Sequence, residues 1–184
     1  MRLVPLQQGR LDCLCGVYAI VNAVRWIAAA GKPLQRAQQA ALFSHVLAAA
    51  DRHVGLHEAL TYGIDTLPLL KVCQAASRLA EQDLRLAIAV DRPFPATATL
   101  NDVVVGMRAS FKAAPTAFIV NLSGYHDHWS VCTAVTDTSF ILFDSSQLRR
   151  VALKNCAVTA RHNSRTHALH RLPVRAIISL QTKS

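Results

Sequence analysis

The sequence predicts an α+β fold, with a helical first half packed against an antiparallel β-sheet that the second half supplies. Apolar residues recur at helical spacing as far as residue 113, and after Pro115 they give way to β-branched and aromatic runs separated by turn residues. A chain of 184 residues without repeats or low-complexity segments is typical of one domain. We therefore expect a single domain, 1–184, with a mainly helical half (1–114), a mainly β half (115–184) and a cleft between them.

Four helices are predicted in the first half, and helix-stop and capping residues indicate where they begin and end. The first ends at Gly31, a glycine stop signal with Pro33 beyond it. The last begins at Thr99, which with Asp102 resembles a capping box. We expect residues 53–66, which two glycines interrupt, to be irregular. The predicted helices span 15–30, 35–52, 67–82 and 99–113.

Short runs rich in β-branched or aromatic residues predict five strands. Residues 92–98 contain two prolines and are predicted to form a loop. Because four of the five strands follow one another in the second half, we expect them to pair as an antiparallel sheet. The predicted strands span 84–90, 116–122, 129–135, 139–143 and 174–180.

The net charge of +9 lies almost entirely in one part of the chain. Residues 145–184, called here the basic C-terminal segment, hold eight of the 20 Lys and Arg residues and none of the 11 Asp and Glu residues. Such a segment is typical either of a solvated face or of a surface that docks an acidic partner. No aromatic residue is interleaved with its arginines, so a nucleic-acid stacking surface is not expected.

The composition is that of a globular protein without a membrane span, since 52% of the residues are hydrophobic, 17% are charged and no apolar run reaches about 18 residues. Gln7 follows the start too closely to leave room for the apolar region of a signal peptide. The five cysteines are odd in number, which favours reduced thiols over a disulfide framework. We therefore expect a cytoplasmic protein, unless a specialised secretion system exports it.

A polar loop that ends in a cysteine precedes the first predicted helix. Cys15 stands at the first turn, where unpaired backbone N–H groups and the positive end of the helix dipole favour the nucleophilic thiolate over the thiol. Gln8, upstream in the loop, can donate a side-chain N–H to an oxyanion that forms beside this sulfur. The pattern indicates nucleophilic catalysis by a thiol.

Two further candidate residues flank the predicted turn at 136–138. His128 opens one strand directly after a polar loop, and Asp144 closes the next strand. If these strands are antiparallel neighbours, both residues lie at the same end of the sheet. There Asp144 can accept the imidazole N–H and orient His128, which takes a proton and later returns it.

The residues Gln8, Cys15-Gly16, His128-Trp129-Ser130-Val131 and Asp144 together resemble the papain-like cysteine peptidases, and among them the bacterial leader peptidases of peptide exporters. In that family a Gln precedes a Cys at the start of a long helix, a His opens a strand in an H-[aromatic]-x-V setting, and an Asn or Asp follows sixteen residues later. The resemblance implies a papain-like fold and a Cys-His-Asp triad. It also implies hydrolysis of a peptide or isopeptide bond in a peptide or protein substrate, through a covalent thioester acyl-enzyme and without a cofactor.

One departure from the family leaves two assignments open. The family usually places the Gln six residues before the Cys, whereas Gln8 is seven residues before Cys15. Only Gln7 and Cys13 have the usual separation. Cys15 is the favoured nucleophile because Gly16 and the apolar residues at helical spacing follow it directly. Its sulfur is therefore expected at the helix N-terminus, where the helix dipole favours the thiolate.

Other hypotheses use the same residues differently. Transglutaminase-like acyl transfer or glutamine deamidation shares the first step of hydrolysis, and a catalytically silent binding module belongs to another class altogether. His126 is a second candidate for the base. The residues of a Cys2His2 zinc-stabilised domain would be Cys13, Cys15, His126 and His128, although their one-residue spacings are tighter than is usual for zinc. Three more histidines are expected at the surface, namely His162, His167 and His170.

Overall fold

A helical block and a strand-rich block succeed one another in the computed structural model, which describes residues 3–9, 11–160 and 166–183. Five α-helices and eight β-strands form within these residues, so the coarse α+β class is confirmed. The helices are α1 (Cys15–Ala29), α2 (Arg36–Val54), α3 (Leu56–Thr61), α4 (Thr66–Leu84) and α5 (Leu100–Ala113). The strands are β1 (Ile88–Asp91), β2 (Thr116–Gly124), β3 (His128–Val135), β4 (Ser139–Leu142), β5 (Arg150–Ala152), β6 (Cys156–Thr159), β7 (His170–Pro173) and β8 (Ile178–Thr182).

Helix α1 is buried on most of its surface, which explains its apolar composition. Val17, Ile20 and Val24 are fully enclosed, and α2, α4 and the sheet pack around the helix. Its last residue stands two positions before Gly31, as the stop signal predicts. Neither α1 nor any other helix in the described parts of the chain is long and apolar enough to cross a membrane.

The strands form one sheet whose main path is antiparallel, in the order β1-β8-β2-β3-β4-β5. The end of β2 also pairs with β7, which in turn pairs in parallel with β6. At the centre, β2 and β3 place Leu122 opposite His128 and Phe118 opposite Cys132. The predicted antiparallel sheet is therefore confirmed for its main path, and the β6–β7 pair is an exception to it.

Helices cover both faces of this sheet. Along β2, Ala117 and Ile119 belong to the hydrophobic core shared with α1, α2 and α4, whereas Phe118 and Val120 belong to a second core with Met107 of α5. Packing of the helical half against the sheet was expected, and it holds for α1 and α4 on one face, with α2 packed on these two helices. Helix α5 lies on the opposite face, which the sequence did not indicate.

Most predicted elements form close to their expected bounds, and the capping box at the start of α5 is present. The Asp102 N–H donates to Thr99 Oγ1 at 3.2 Å, and the Thr99 N–H donates to Asp102 Oδ2 at 2.8 Å. Three predictions were wrong. Residues 56–61 form α3 instead of an irregular segment, the strand expected at 84–90 begins only at Ile88, and the strand expected at 174–180 begins at Ile178 after a 3₁₀ turn.

The basic C-terminal segment is folded into the sheet. It contributes β5, β6, β7 and β8, and three of these strands are missing from the prediction because they have only three or four residues and no clear alternation. Most of the cationic side chains that the structure describes in this segment are exposed, including those of Arg149, Arg150, Lys154 and Arg175.

Close packing of the first turn of α1 depends on a glycine. A Cβ atom on Gly16 would lie 2.8 Å from Leu69 Cδ1 of α4 and 3.6 Å from Trp129 Cδ1 of β3. Leu69 is fully buried, so its side chain has little room to move aside. The glycine that follows Cys15 thus allows α1, α4 and β3 to meet at one point.

Substitution Gly16→Val is expected to lower the free energy of unfolding by about 1–3 kcal/mol, because the added methyl groups overpack this contact. Denaturant unfolding followed by circular dichroism measures the change. Gly31→Ala is the matched control, since a Cβ atom there meets nothing closer than the Ala28 carbonyl oxygen at 4.0 Å. Equal unfolding midpoints for the two variants would contradict the packing argument.

Candidate active site

The thiol of Cys15 stands at the first residue of α1. The preceding residue, Leu14, makes no side-chain cap, and its backbone N–H donates to Asp12 Oδ1 at 3.0 Å. The N–H groups of the first helical turn have no carbonyl partner within the helix, so the sulfur lies beside free donors and the positive end of the helix dipole. Cys15 is half-buried, as a nucleophile that must meet a substrate requires.

His128 and Asp144 meet at one end of the sheet, as the hairpin prediction requires. His128 opens β3, Asp144 follows β4 by two residues, and His128 Nε2 lies 2.7 Å from Asp144 Oδ2. The backbone continues the strand pairing beyond β4, because the Phe143 N–H donates to the Val131 carbonyl oxygen at 2.8 Å. This extra bond brings the carboxylate up to the imidazole.

Asp144 is a buried carboxylate whose two oxygens are both occupied. Only 2% of the residue is exposed. Oδ2 faces His128, while Oδ1 accepts the backbone N–H groups of Ser146 at 2.7 Å and Leu148 at 3.1 Å. Burial raises the pKa of Asp144, but the hydrogen bond to His128 and the charge of that imidazolium outweigh burial and lower the pKa overall. Asp144 is therefore an anion at neutral pH.

The imidazole of His128 links the carboxylate to the thiol. Burial alone would lower the pKa of His128, but hydrogen bonds to Asp144 and to Cys15, together with the negative charges of both groups, raise it from 6.5 to about 9. Since Nε2 is taken by Asp144, Nδ1 is the ring nitrogen left for the sulfur of Cys15. The arrangement therefore favours the charged imidazolium form of His128.

Gln8 lies at the same cleft, and three contacts position it. Its backbone N–H donates to the Ser145 carbonyl oxygen at 3.1 Å, and its Nε2 donates to the Asp12 carbonyl oxygen at 2.5 Å. Two residues earlier, Leu6 is held by Asn22 of α1, whose side chain accepts the Leu6 N–H at 2.8 Å and donates to its carbonyl oxygen at 3.0 Å. Helix α1 therefore positions both Cys15 and the segment that carries Gln8.

The alternative residues Gln7 and Cys13 lie differently. Gln7 is exposed, and its Oε1 accepts a hydrogen bond from Gln147 Nε2 at 3.3 Å on the other side of the loop. Cys13 is exposed at the edge of the cleft, with its Sγ 3.2 Å from the Thr61 carbonyl oxygen. Of these two thiols, only that of Cys15 contributes to the raised pKa of His128.

Burial separates the other cysteines from any reaction at the surface. It raises the pKa of Cys132 and of Cys156 to about 12, and it raises the pKa of Cys73 further. These three thiols are protonated at neutral pH and belong to the hydrophobic cores. Cys13 and Cys15 are the two thiols that line the cleft.

The histidines other than His128 that the sequence singled out have different surroundings. His126 is exposed in the turn before β3, where its ring stacks on His170 with centroids 5.2 Å apart. His170 is 7% exposed, so the expectation of a surface position was wrong, whereas His167 is exposed as expected. His162 lies outside the described residues. Burial and the nearby His126 lower the pKa of His170.

The described residues contain no group of three or more His, Cys, Asp or Glu side chains that could hold a metal ion. The four residues named for a zinc site point in different directions. His128 is bound to Asp144, His126 is stacked on His170, and Cys13 faces Thr61. This geometry does not fit the Cys2His2 hypothesis.

A cleft of about 480 Å³ opens in front of Cys15 and His128, between the helical layer and the sheet. Its lining includes residues that the sequence did not single out, among them Tyr62, Asp65 and Asn121. They carry no motif, since their positions depend on the α3–α4 connection and on the β2–β3 register. The position of Asn121 at the cleft could be predicted only from the pairing register of β2 and β3, which places it opposite Trp129.

Comparison with known proteins adds no assignment. No protein-family model matches the chain, and no curated protein matches it either.

The protonation state of His128 provides a direct test of the geometry. We expect its imidazole to titrate near pH 9 in an NMR titration of the whole protein. Asp144→Asn keeps the shape of the side chain but removes a charge that holds the proton, so the pKa of His128 should fall towards 6.5. Asp137→Asn, at an exposed pair with Arg108, is the control and should leave the titration unchanged. An unshifted pKa in the Asp144 variant would refute the coupling.

Proposed function

We propose that this protein is a papain-like cysteine peptidase that cleaves a peptide or isopeptide bond. The observation that carries the proposal is that Cys15, at a helix N-terminus, lines the same cleft as His128, whose Nε2 is bound to the buried Asp144. A nucleophile, a base and an orienting carboxylate within hydrogen-bond reach of one another are the geometric requirement for covalent catalysis by a thiol.

The reaction proceeds in two halves. In the first, the Cys15 thiolate attacks the substrate carbonyl carbon, and the carbonyl oxygen becomes an oxyanion. The backbone N–H of Cys15 and the Gln8 Nε2 group donate to that oxygen. Because Nε2 carries two hydrogens, one can remain with the Asp12 carbonyl oxygen while the other serves the oxyanion. The C–N bond then breaks as His128 gives its proton to the leaving amine, and a thioester remains.

The second half restores the resting state. Neutral His128 takes a proton from water, and the resulting hydroxide attacks the thioester carbonyl carbon. The C–S bond breaks, the product leaves as a carboxylic acid, and the thiolate returns to its pair with the imidazolium. Asp144 keeps its negative charge throughout and holds the ring in the orientation that faces the sulfur.

The proposal includes the setting of the enzyme. Two thiols at the open cleft, one of them the nucleophile, favour a reducing compartment such as the cytoplasm, or export by a specialised secretion system. The exposed arginines of the basic C-terminal segment support docking of an acidic partner as a further part of the proposal.

Reaction with iodoacetamide at mildly acidic pH tests the nucleophile. We expect mass spectrometry to find Cys15 modified first, because its sulfur lies at a helix N-terminus and in the same cleft as the charged imidazole of His128, and both favour attack by sulfur. His128→Ala should abolish the preference. Cys13→Ser is the matched control, which removes the second thiol of the cleft and should still be modified at Cys15. Preferential modification of Cys13 in the unaltered protein would overturn the assignment.

Cleavage of a mixed peptide library in H₂¹⁸O tests the reaction. The protein is expected to produce new C-terminal carboxylates that carry one ¹⁸O atom, and Cys15→Ala is expected to produce none. Incorporation of an added fluorescent primary amine without cleavage would indicate transglutaminase-like transfer instead. Conversion of glutamine to glutamate would indicate deamidation. A protein that does none of these, although Cys15 is accessible, is a binding module.

A further inference from the structure

We propose that the cleft selects substrates with a basic side chain, arginine before lysine, which lies against Asp65 and Tyr62 while the scissile bond lies at Cys15. The inference rests on the proposed peptidase function and names the substrate class of that site. Three features carry it: the charge of the cleft, the chemistry of its α3–α4 wall, and an unsatisfied acceptor on its floor.

The charge of the cleft is opposite to that of the whole chain. The net charge of the sequence is +9. The carboxylates that line the cleft belong to Asp12, Asp65 and Asp127, and the described lining residues include no Lys or Arg. The imidazolium of His128 also lines the cleft, but its charge is paired with Asp144. Asp65 is exposed, and its carboxylate makes no hydrogen bond or ion pair with the described residues. A cationic group that enters the cleft meets an uncompensated negative charge there.

The connection between α3 and α4 forms one wall of the cleft and presents two groups that attract a cation. The Tyr62 side chain is 77% exposed, and both Tyr62 and Asp65 line the cleft. The wall is fixed to the sheet, since Trp129 Nε1 donates to the Ile64 carbonyl oxygen at 2.9 Å. A carboxylate and an aromatic ring on one wall suit a guanidinium group, which forms ion pairs and also stacks on aromatic faces.

The floor of the cleft holds an acceptor without a donor. Asn121 is 7% exposed and lines the cleft, and its Oδ1 accepts no hydrogen bond. Buried polar atoms are normally satisfied, so this oxygen is available to accept a hydrogen bond from a donor that enters the cleft. Gln8 Oε1 is likewise buried and unpartnered. The cleft thus has acceptors in excess and suits a ligand rich in N–H groups, such as a peptide that carries the five donors of arginine.

Peptidyl acyloxymethyl ketones test the preference without knowledge of the natural substrate. Their carboxylate leaves as the thiolate of Cys15 forms a C–S bond, so intact-mass measurements give the rate of labelling. Two series place Arg, citrulline or Glu at the first or the second residue before the ketone. Citrulline matches arginine in shape but has no charge. We expect Arg to react about fivefold faster than citrulline in one series, as for an ion pair at a partly exposed site, and Glu to react most slowly.

Variants then identify the group responsible. Asp65→Asn keeps a residue that suits the start of α4 and should abolish the Arg-to-citrulline ratio. Asp65→Lys should reverse the order and favour Glu, which keeps the test decisive if one variant folds poorly. Asp83→Asn, an exposed carboxylate at the other end of α4, is the matched control and should retain the ratio.

Different outcomes of the labelling experiment overturn the substrate preference and the peptidase proposal. Labelling of Cys15 at equal rates by the Arg and citrulline probes in both series overturns the substrate class and leaves the peptidase proposal standing. Absence of labelling at Cys15 by every probe overturns the peptidase proposal and the inference that rests on it.

Discussion

The docking of the first turn of α1 against β3 is the constraint on which the candidate site depends. Gly16 leaves space for Leu69 and Trp129, and the Trp129 indole is tied to the Ile64 carbonyl oxygen. A side chain at position 16 would clash with Leu69 of α4, so either Leu69 or the tip of α1 would have to move. Cys15 directly precedes Gly16, and His128 directly precedes Trp129. A small displacement at this contact would therefore separate the sulfur of Cys15 from the ring of His128.

The same helix holds the other parts of the site through polar contacts deeper in the core. Asn22 binds both backbone groups of Leu6, and Arg25 donates to Asn22 Oδ1 at 2.9 Å. The guanidinium of Arg25 also lies over the ring of Phe143, 6.0 Å from its centroid. Since Phe143 immediately precedes Asp144, one face of α1 contacts the segments before Gln8 and before Asp144. The helix thereby relates three chain segments that are far apart in sequence.

The sequence signals that succeeded are local or depend on a single hairpin. Cys15 could be predicted because a helix start is visible within a few residues, and His128 with Asp144 because a short turn joins their strands. Asn121 could not, since its position follows from the β2–β3 register, and neither could Asp65, since α3 itself was not predicted. Helix α5 lies on the far face because it packs against Phe118 and its neighbours. Helical periodicity shows that a helix has an apolar face, but it does not show which side of the sheet that face covers.

The coupling of the three groups explains why the site needs all of them at once. A buried carboxylate is costly unless it is paired, and Asp144 is paired by His128 and by two backbone N–H groups. An imidazolium in the same surroundings is costly as well, and it is stabilised only because Asp144 lies on one side and Cys15 on the other. If one anion is removed, burial, which favours the neutral ring, is opposed only by the other. The proton on His128 therefore depends on both neighbours, and in the proposed reaction it is this proton that the leaving amine receives.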